Sequence, residues 1–585
     1  MQFPDWKSFT PSKAAELLEK HLGEAEKGVC GIEASAAADY ESTVYALDDA
    51  CRELWLTWGK VEHLLGVMNS PEWRKLEEDW QPKIVSFSLR VMQSPGLYRK
   101  FAATRDALVS EAGFSPTRKR ILDKAIEAAE LSGVGLEGEA KTRFNGIQTK
   151  LAKLGADFSN AVIDATAAYK FEKDGKTYTI DDAAYVETMK TCADREVREN
   201  LLVARSRRAP ENSERIDEIL RLREEKAKIL DFPTYADLSI SEKCAPSLRA
   251  VEEMIKNLDD ATAARAKDED EELKTVMPAG YGKIEPWDVT YLSERLREQK
   301  YSYSEEELKK HFEFNVVLSG LFRLCRFLFG FEVEELTGGA RPSVWHDDVR
   351  FFAVKESGRT VANFYLDPYV RPGLKQGGAW MNHFRNRDGR TGELPLALIV
   401  LNLKAPDAEG KTYMPMREVE TLFHEFGHAL QCMLTKVDEE GAAGINLVEW
   451  DAVEVASQFM ENWCLDDRTG IEVPADLKEK VKAARNFRAA SLCRRQLALA
   501  KTDLDIHTTL PDCADDVKKA NFAHFGMPLC EGDIFLCSFT HIFSGGYAAG
   551  YYGYKWSEVM SADCYGAFED AGLENDEAVR RTGAR

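Results

Sequence analysis

Between Pro415 and Trp463 the chain carries the spacing His424-Glu425-Phe426-Gly427-His428, and no other feature restricts the fold so tightly. On an α-helix, residues i and i+4 lie one above the other on the same face, so both imidazoles address one point in space. A tetrahedral zinc ion takes such nitrogens at about 2.0–2.1 Å. Glu425 lies roughly 100° further round the helix, poorly placed as a third ligand and well placed to reach a water at the metal. Val419, Leu422, Phe423, Phe426 and Leu430 recur at helical spacing and predict a largely buried helix. Pro415 suits its first turn, where a backbone N–H is not needed.

Two histidines leave such an ion one protein ligand short. The segment from Trp450 to Leu465 is predicted as a second helix, apolar nearly all round except for the stripe Asp451, Glu454, Gln458 and Glu461. Buried charge requires a partner, and a metal supplies one. Glu454 is the expected third ligand. Asp451 and Glu461 are expected behind the ligands, orienting an imidazole, with a solvent-facing role as the alternative.

The runs ETLFHEFGHAL and WDAVEVASQFMENW resemble the thimet oligopeptidase and oligopeptidase A family of zinc metallopeptidases, most strongly its oligopeptidase A branch and the plant cytosolic members. VWHDDVRFF (344–352), FYLDPYVRP (364–372), GGAWM (377–381) and FTHIFSGGYAAGYYGYKW (539–556) extend the likeness, which is strong from about Ile284 onward. The resemblance implies a mainly α, zincin-like fold: two mostly helical halves around a deep channel, with a small β-sheet beside the zinc helix. It further implies one zinc ion per chain, short peptides as substrates and a monomer. Tyr551 and His541 would donate hydrogen bonds to the developing oxyanion, and Tyr547 and Tyr554 would contact substrate. Spacing alone puts Tyr547, Tyr551 and Tyr554 at i, i+4 and i+7, one face of a predicted helix. Three phenols on one face need polar partners, which favours a wet cleft over a dry core. Gly441 and Gly444, in the loop Asp438–Asn446, would belong to a mobile substrate-contacting loop. Relative to the family, the chain is abbreviated near Lys173 and after Cys464. The family pattern also continues past Arg585, so the C-terminal end is read as truncated.

With 585 residues, 44% hydrophobic and 30% charged, the chain reads as globular with several domains' worth of core. A net charge of −22 argues against nucleic acid and anionic membrane as partners. No apolar run approaches the ~18–20 residues needed to cross a bilayer. The N-terminus has neither a basic nor an apolar leader region. The expected location is therefore cytoplasmic, an organelle being the alternative where a transit peptide precedes this chain. The twelve cysteines form no C-x-x-C pair and read as reduced thiols, Cys432 among them as a packed small residue.

Residues 10–165 are predicted as successive helices, the first starting at Thr10-Pro11. Asp174-Gly175 predicts a type I′ hairpin within Tyr169–Ile180. A boundary is expected there, between an N-terminal helical domain (1–170) and a catalytic domain (171–585). The acidic run Asp268–Glu272 reads as a solvated helix face. Strands are predicted at Arg350–Val354, Val361–Leu366 and Leu394–Leu403. The expected function is a zinc metalloendopeptidase cleaving internal bonds of short unfolded peptides in intracellular peptide turnover. The alternatives are an inactive metal- or peptide-binding homologue and a zinc exopeptidase.

Overall fold

The computed structural model describes residues 3–110 and 114–584. Among the described residues the N-terminal part has six α-helices, α1 (Pro11–Ala34), α2 (Ala46–Val67), α3 (Pro71–Met92), α4 (Pro95–Ser110), α5 (Pro116–Leu131) and α6 (Gly138–Ala168), with a π-helical turn, Glu41–Tyr45, leading into α2. Four of them open on a Ser/Thr-Pro pair. The hydroxyls of Thr10, Ser70 and Ser115 accept from Lys13, Trp73 and Arg118 N–H, and Ser94 Oγ accepts from Leu97 N–H. Each hydroxyl satisfies one orphan donor, while proline occupies the position that has none to offer.

A short hairpin follows, β1 (Phe171–Lys173) and β2 (Lys176–Tyr178), turning on Asp174 and Gly175 at φ 52° and 73°. The main sheet has five strands: β3 (Glu332–Glu335), β4 (Arg350–Glu356), β5 (Arg359–Tyr369), β6 (Trp380–Arg385) and β7 (Leu396–Leu403). Their order is β3-β4-β5-β7-β6, antiparallel throughout except for the parallel pair β5–β7. Sequence alone predicts β4, β5 and β7 and omits the two edge strands. β3 is Glu-Val-Glu-Glu and β6 is short, so neither shows a buried face to read.

Alternation along the strands divides the apolar residues between two cores. Phe352, Val354, Phe364, Leu366, Ile399 and Leu401 pack with the helix Phe314–Phe329 and with Val419, Leu422, Phe423 and Phe426 of the helix Met416–Met433. Phe351, Tyr365, Leu396, Leu398 and Val400 face the other way, onto Trp6, Leu18, Leu54, Trp58 and Leu64 of the N-terminal segment. β7 is apolar on both faces because both are covered. A third core joins Ile147, Leu154 and Phe158 of α6 to Ile216, Leu220, Leu497, Leu504 and Tyr552. Residues of α1, α2, α3 and α5 share a core with one face of the sheet, while α6 packs on α3 and also joins the third core with later helices. Among the described residues, no helix is long and apolar enough to cross a membrane. The acidic run is not wholly solvated, since Glu269 is buried and accepts from the N–H and hydroxyl of Ser491.

Candidate metal centre

The helix Met416–Met433 lies on the sheet and carries His424, Glu425 and His428. Its neighbour comes unusually near at one residue. A Cβ on Gly427 would lie 2.5 Å from the Ala456 carbonyl oxygen and 2.6 Å from Ser457 Cα. The glycine inside the motif therefore lets the two backbones touch, and this contact sets Glu454 beside the histidines. Mid-helix glycine, costly on propensity grounds, was the available signal for this contact.

The second helix is shorter than predicted. Regular helix runs only from Val455 to Glu461, and residues 450–454 form turns. Glu454 stands at the start of the helix, with 2% of its surface exposed. One of its oxygens, Oε2, lies 3.1 Å from Nε2 of His424 and 3.1 Å from Nε2 of His428. Burial alone would raise the Glu454 pKa, but the contacts with both imidazoles hold it well below the usual carboxylate range. Ser457 donates to Oε2 at 3.0 Å and Tyr547 to Oε1 at 2.6 Å. The ligand-type atoms of His424, His428 and Glu454 lie within 4.8 Å of one another, and among the described residues no other such group occurs. Two imidazole nitrogens and one buried carboxylate oxygen are a donor set that suits a borderline divalent cation such as zinc.

Glu461 Oε1 accepts from Nδ1 of His424 at 2.6 Å, leaving Nε2 to face the ligand point. Asp451, grouped with it on the sequence, is placed elsewhere. Its carboxylate is fully buried and accepts from the N–H groups of Cys244 and Ala245 and from the Tyr552 hydroxyl. Because the helix starts only at Val455, Asp451 does not share a face with Glu461; it ties the turn to the segment after helix Tyr235–Ser241. Glu425 is 5% exposed, and burial raises its pKa against the opposing influence of His424 and His428.

The tyrosines converge, but not on one helix face. Helix Gly553–Ala571 begins after Tyr551, and residues 548–552 form turns, with Ala549 at φ 47°. Buried Asp503, unremarked in the sequence, accepts the N–H groups of Ala549, Gly550 and Tyr551, each at 2.9 Å, and holds the chain out of helix. Tyr547 and Tyr554 stack at 5.1 Å, and Tyr551 is tilted against Tyr554 at 5.1 Å. The His541 ring lies 5.8, 5.7 and 6.2 Å from those of Tyr547, Tyr551 and Tyr554. Burial pushes the Tyr551 phenol up to about 12, so it remains a donor at neutral pH. Gln458 joins the two groups, donating to the Tyr554 carbonyl at 2.9 Å.

The loop after the metal helix is stitched down rather than free over the site. Glu439 accepts from Arg118 at 2.7 Å and Tyr45 at 2.8 Å, and Glu440 from Arg52 at 2.9 Å. Gly441 lies against Ile121 of α5. Gly444, at φ 64°, lies against Asn386 and Cys432 Cα, where a Cβ would be 2.9 and 3.1 Å away. Cys432 is fully buried, and burial pushes its thiol up to about 12.

A mainly α zincin-like fold whose motif helix, neighbouring glutamate and buried general-base candidate meet in this way defines a metallopeptidase. Residues 188–585 match peptidase family M3, and residues 18–141 match the neurolysin/thimet oligopeptidase N-terminal domain. The chain belongs to peptidase family M3. It is 39% identical over 648 residues to an organellar (chloroplastic/mitochondrial) oligopeptidase A of Arabidopsis thaliana, covering 100% of this chain and 81% of the relative. It is also 39% identical over 635 residues to a probable cytosolic oligopeptidase A of the same plant, covering 97% and 89%. Among solved structures, PZ peptidase A with an inhibitor aligns at a TM-score of 0.61 and 14% identity, covering 100% of this chain and 92% of that one, a likeness of fold.

Proposed function

We propose that this chain is a zinc-dependent metalloendopeptidase that hydrolyses internal bonds of short, unfolded peptides. The observation that carries the reading is the approach of both imidazole Nε2 atoms to one Glu454 oxygen at 3.1 Å, with Glu425 buried on the same helix. His424, His428 and Glu454 would hold one zinc ion. When bound, it supplies Lewis acidity, lowering the pKa of a water from 15.7 toward about 7 and polarising a carbonyl.

The chain's own groups do the rest. Glu425, buried on the motif helix beside the ligand histidines, takes a proton from the attacking water and returns it to the leaving amine. Tyr551 and His541 donate to the oxygen on which charge develops, a role typically worth ~10²–10³ in rate per donor. The stacked pair Tyr547 and Tyr554 contacts substrate. Tyr547 also fixes Glu454, and Glu461 fixes the His424 tautomer. Edge strand β6, beside the motif helix, offers main-chain groups to an extended peptide, a mode tolerant of side-chain identity. The acting form is a monomer, with the cytosol as its compartment.

The test is cleavage of an internally quenched peptide blocked at both ends, with and without chelator. Cleavage that chelator abolishes and zinc restores supports the reading. A protein that binds one zinc and leaves the blocked peptide intact would overturn it.

A further inference from the structure

Tyr551 is nine-tenths buried, yet it lies on a segment of turns that no regular element stiffens. What fixes it is the helix Ala489–Thr508. Asp503, with no exposed surface, accepts three consecutive N–H groups from Ala549 to Tyr551. Two turns earlier on the same face, Gln496 Oε1 accepts the Tyr551 hydroxyl at 3.1 Å.

Asp503 is itself held from behind. Arg223 donates to Nε2 of His507 at 2.8 Å. A guanidinium can only donate, so Nε2 is the acceptor and Nδ1 carries the proton. Nδ1 in turn lies 2.8 Å from the Asp503 carbonyl and 3.0 Å from its carboxylate. The opposite side of the turn is pinned as well, since Ser239 donates to the Ala548 carbonyl at 2.8 Å and Lys243 donates to Ser239. Ala549 at φ 47° shows that the chain is held against its own preference.

We propose that Asp503 and Gln496 are positioning residues for Tyr551: Asp503 fixes the height of the turn, and Gln496 aims the phenol. Neither touches the metal-ligating residues. The inference rests on the role given above to Tyr551.

The test is a double-mutant cycle on the full chain with the blocked peptide. Asp503→Asn and Gln496→Leu are each expected to lower kcat about tenfold, equivalent to about 1.4 kcal/mol, with KM within about threefold and zinc content unchanged. Tyr551→Phe alone is expected to lower kcat by ~10²–10³. In the Tyr551→Phe background, either second substitution is expected to cost less than about twofold, because the donor it positions is gone. Losses that multiply in full in that background would overturn the inference and assign both residues a general structural role. If Asp503→Asn yields no folded protein, Gln496→Leu carries the test, since it leaves the turn's backbone bonds in place. Wild-type protein that cleaves nothing, or a Tyr551→Phe enzyme of undiminished kcat, would instead remove the reading on which the inference stands.

Discussion

The Tyr547 hydroxyl donates to Glu454 Oε1 at 2.6 Å while the other oxygen of the same carboxylate faces both histidines. One side chain thus links the aromatic turn to the metal-ligand set, and the tyrosines cannot move far without disturbing the glutamate.

Glu425→Gln keeps the size of the side chain and removes its ability to accept a proton. Turnover of the blocked peptide is expected to fall by roughly 10²–10⁴, with zinc content equal to wild type by elemental analysis. Equal loss of metal would show that Glu425 acts through the site's structure instead.

Glu461 accepts from His424 Nδ1 from a position 40% exposed. Glu461→Gln is expected to weaken metal binding by about 10–100-fold, read by competition against a chromophoric chelator, and to leave the melting temperature of the metal-loaded protein nearly unchanged.

Gly427→Ala places a methyl group 2.5 Å from the Ala456 carbonyl. Backbone, not a flexible side chain, would have to yield. A loss of about 1–3 kcal/mol in stability is expected, together with a lower metal occupancy, because the shift separates Glu454 from the histidines. Chemical denaturation and metal analysis of the same preparation check both.

His63 on α2 is buried against Trp6 and Trp345, both ring nitrogens without a hydrogen-bond partner. Burial holds its pKa down to about 3. The Asp367 charge favours the protonated ring, and Lys375 and Arg371 oppose it. An unfolded histidine titrates near 6.5, so below that pH the unfolded chain takes up a proton that the native ring refuses until about pH 3. The His63 contribution to stability is complete above pH 6.5 and falls as the pH drops toward 3, by about 2 kcal/mol at about pH 5. His63→Phe should therefore lose less stability than wild type between neutral pH and pH 5, as read from unfolding midpoints.

The site was legible where its logic is local. The i, i+4 histidines, the glutamate between them and the apolar stripe beneath are all written within one helix. Glu454 required only that a buried acidic residue find a partner. The reading fails where distant residues decide. Tyr547, Tyr551 and Tyr554 carry helical spacing, but Asp503, some fifty residues earlier, takes the N–H groups that a helix would have used. Asp451 has the spacing of a helix stripe and instead caps N–H groups of Cys244 and Ala245. For the loop after the metal helix, the family resemblance implies mobility. The carboxylates of Glu439 and Glu440 meet Arg118 and Arg52, which lie more than three hundred residues away in the chain.

The division of the sheet's two faces has a consequence for how the protein is made. Trp6 packs on Trp345 and Tyr365, and the first five helices share their core with Phe351, Tyr365, Leu396, Leu398 and Val400. At roughly 5–20 residues per second, a ribosome delivers those strands about 20–70 seconds after Trp6 has emerged. Through that interval the nascent helices carry an uncovered apolar face. Completion of the N-terminal core is therefore a late event in synthesis, and a chaperone that shelters this surface is expected to raise the yield of folded chain more than one acting after release.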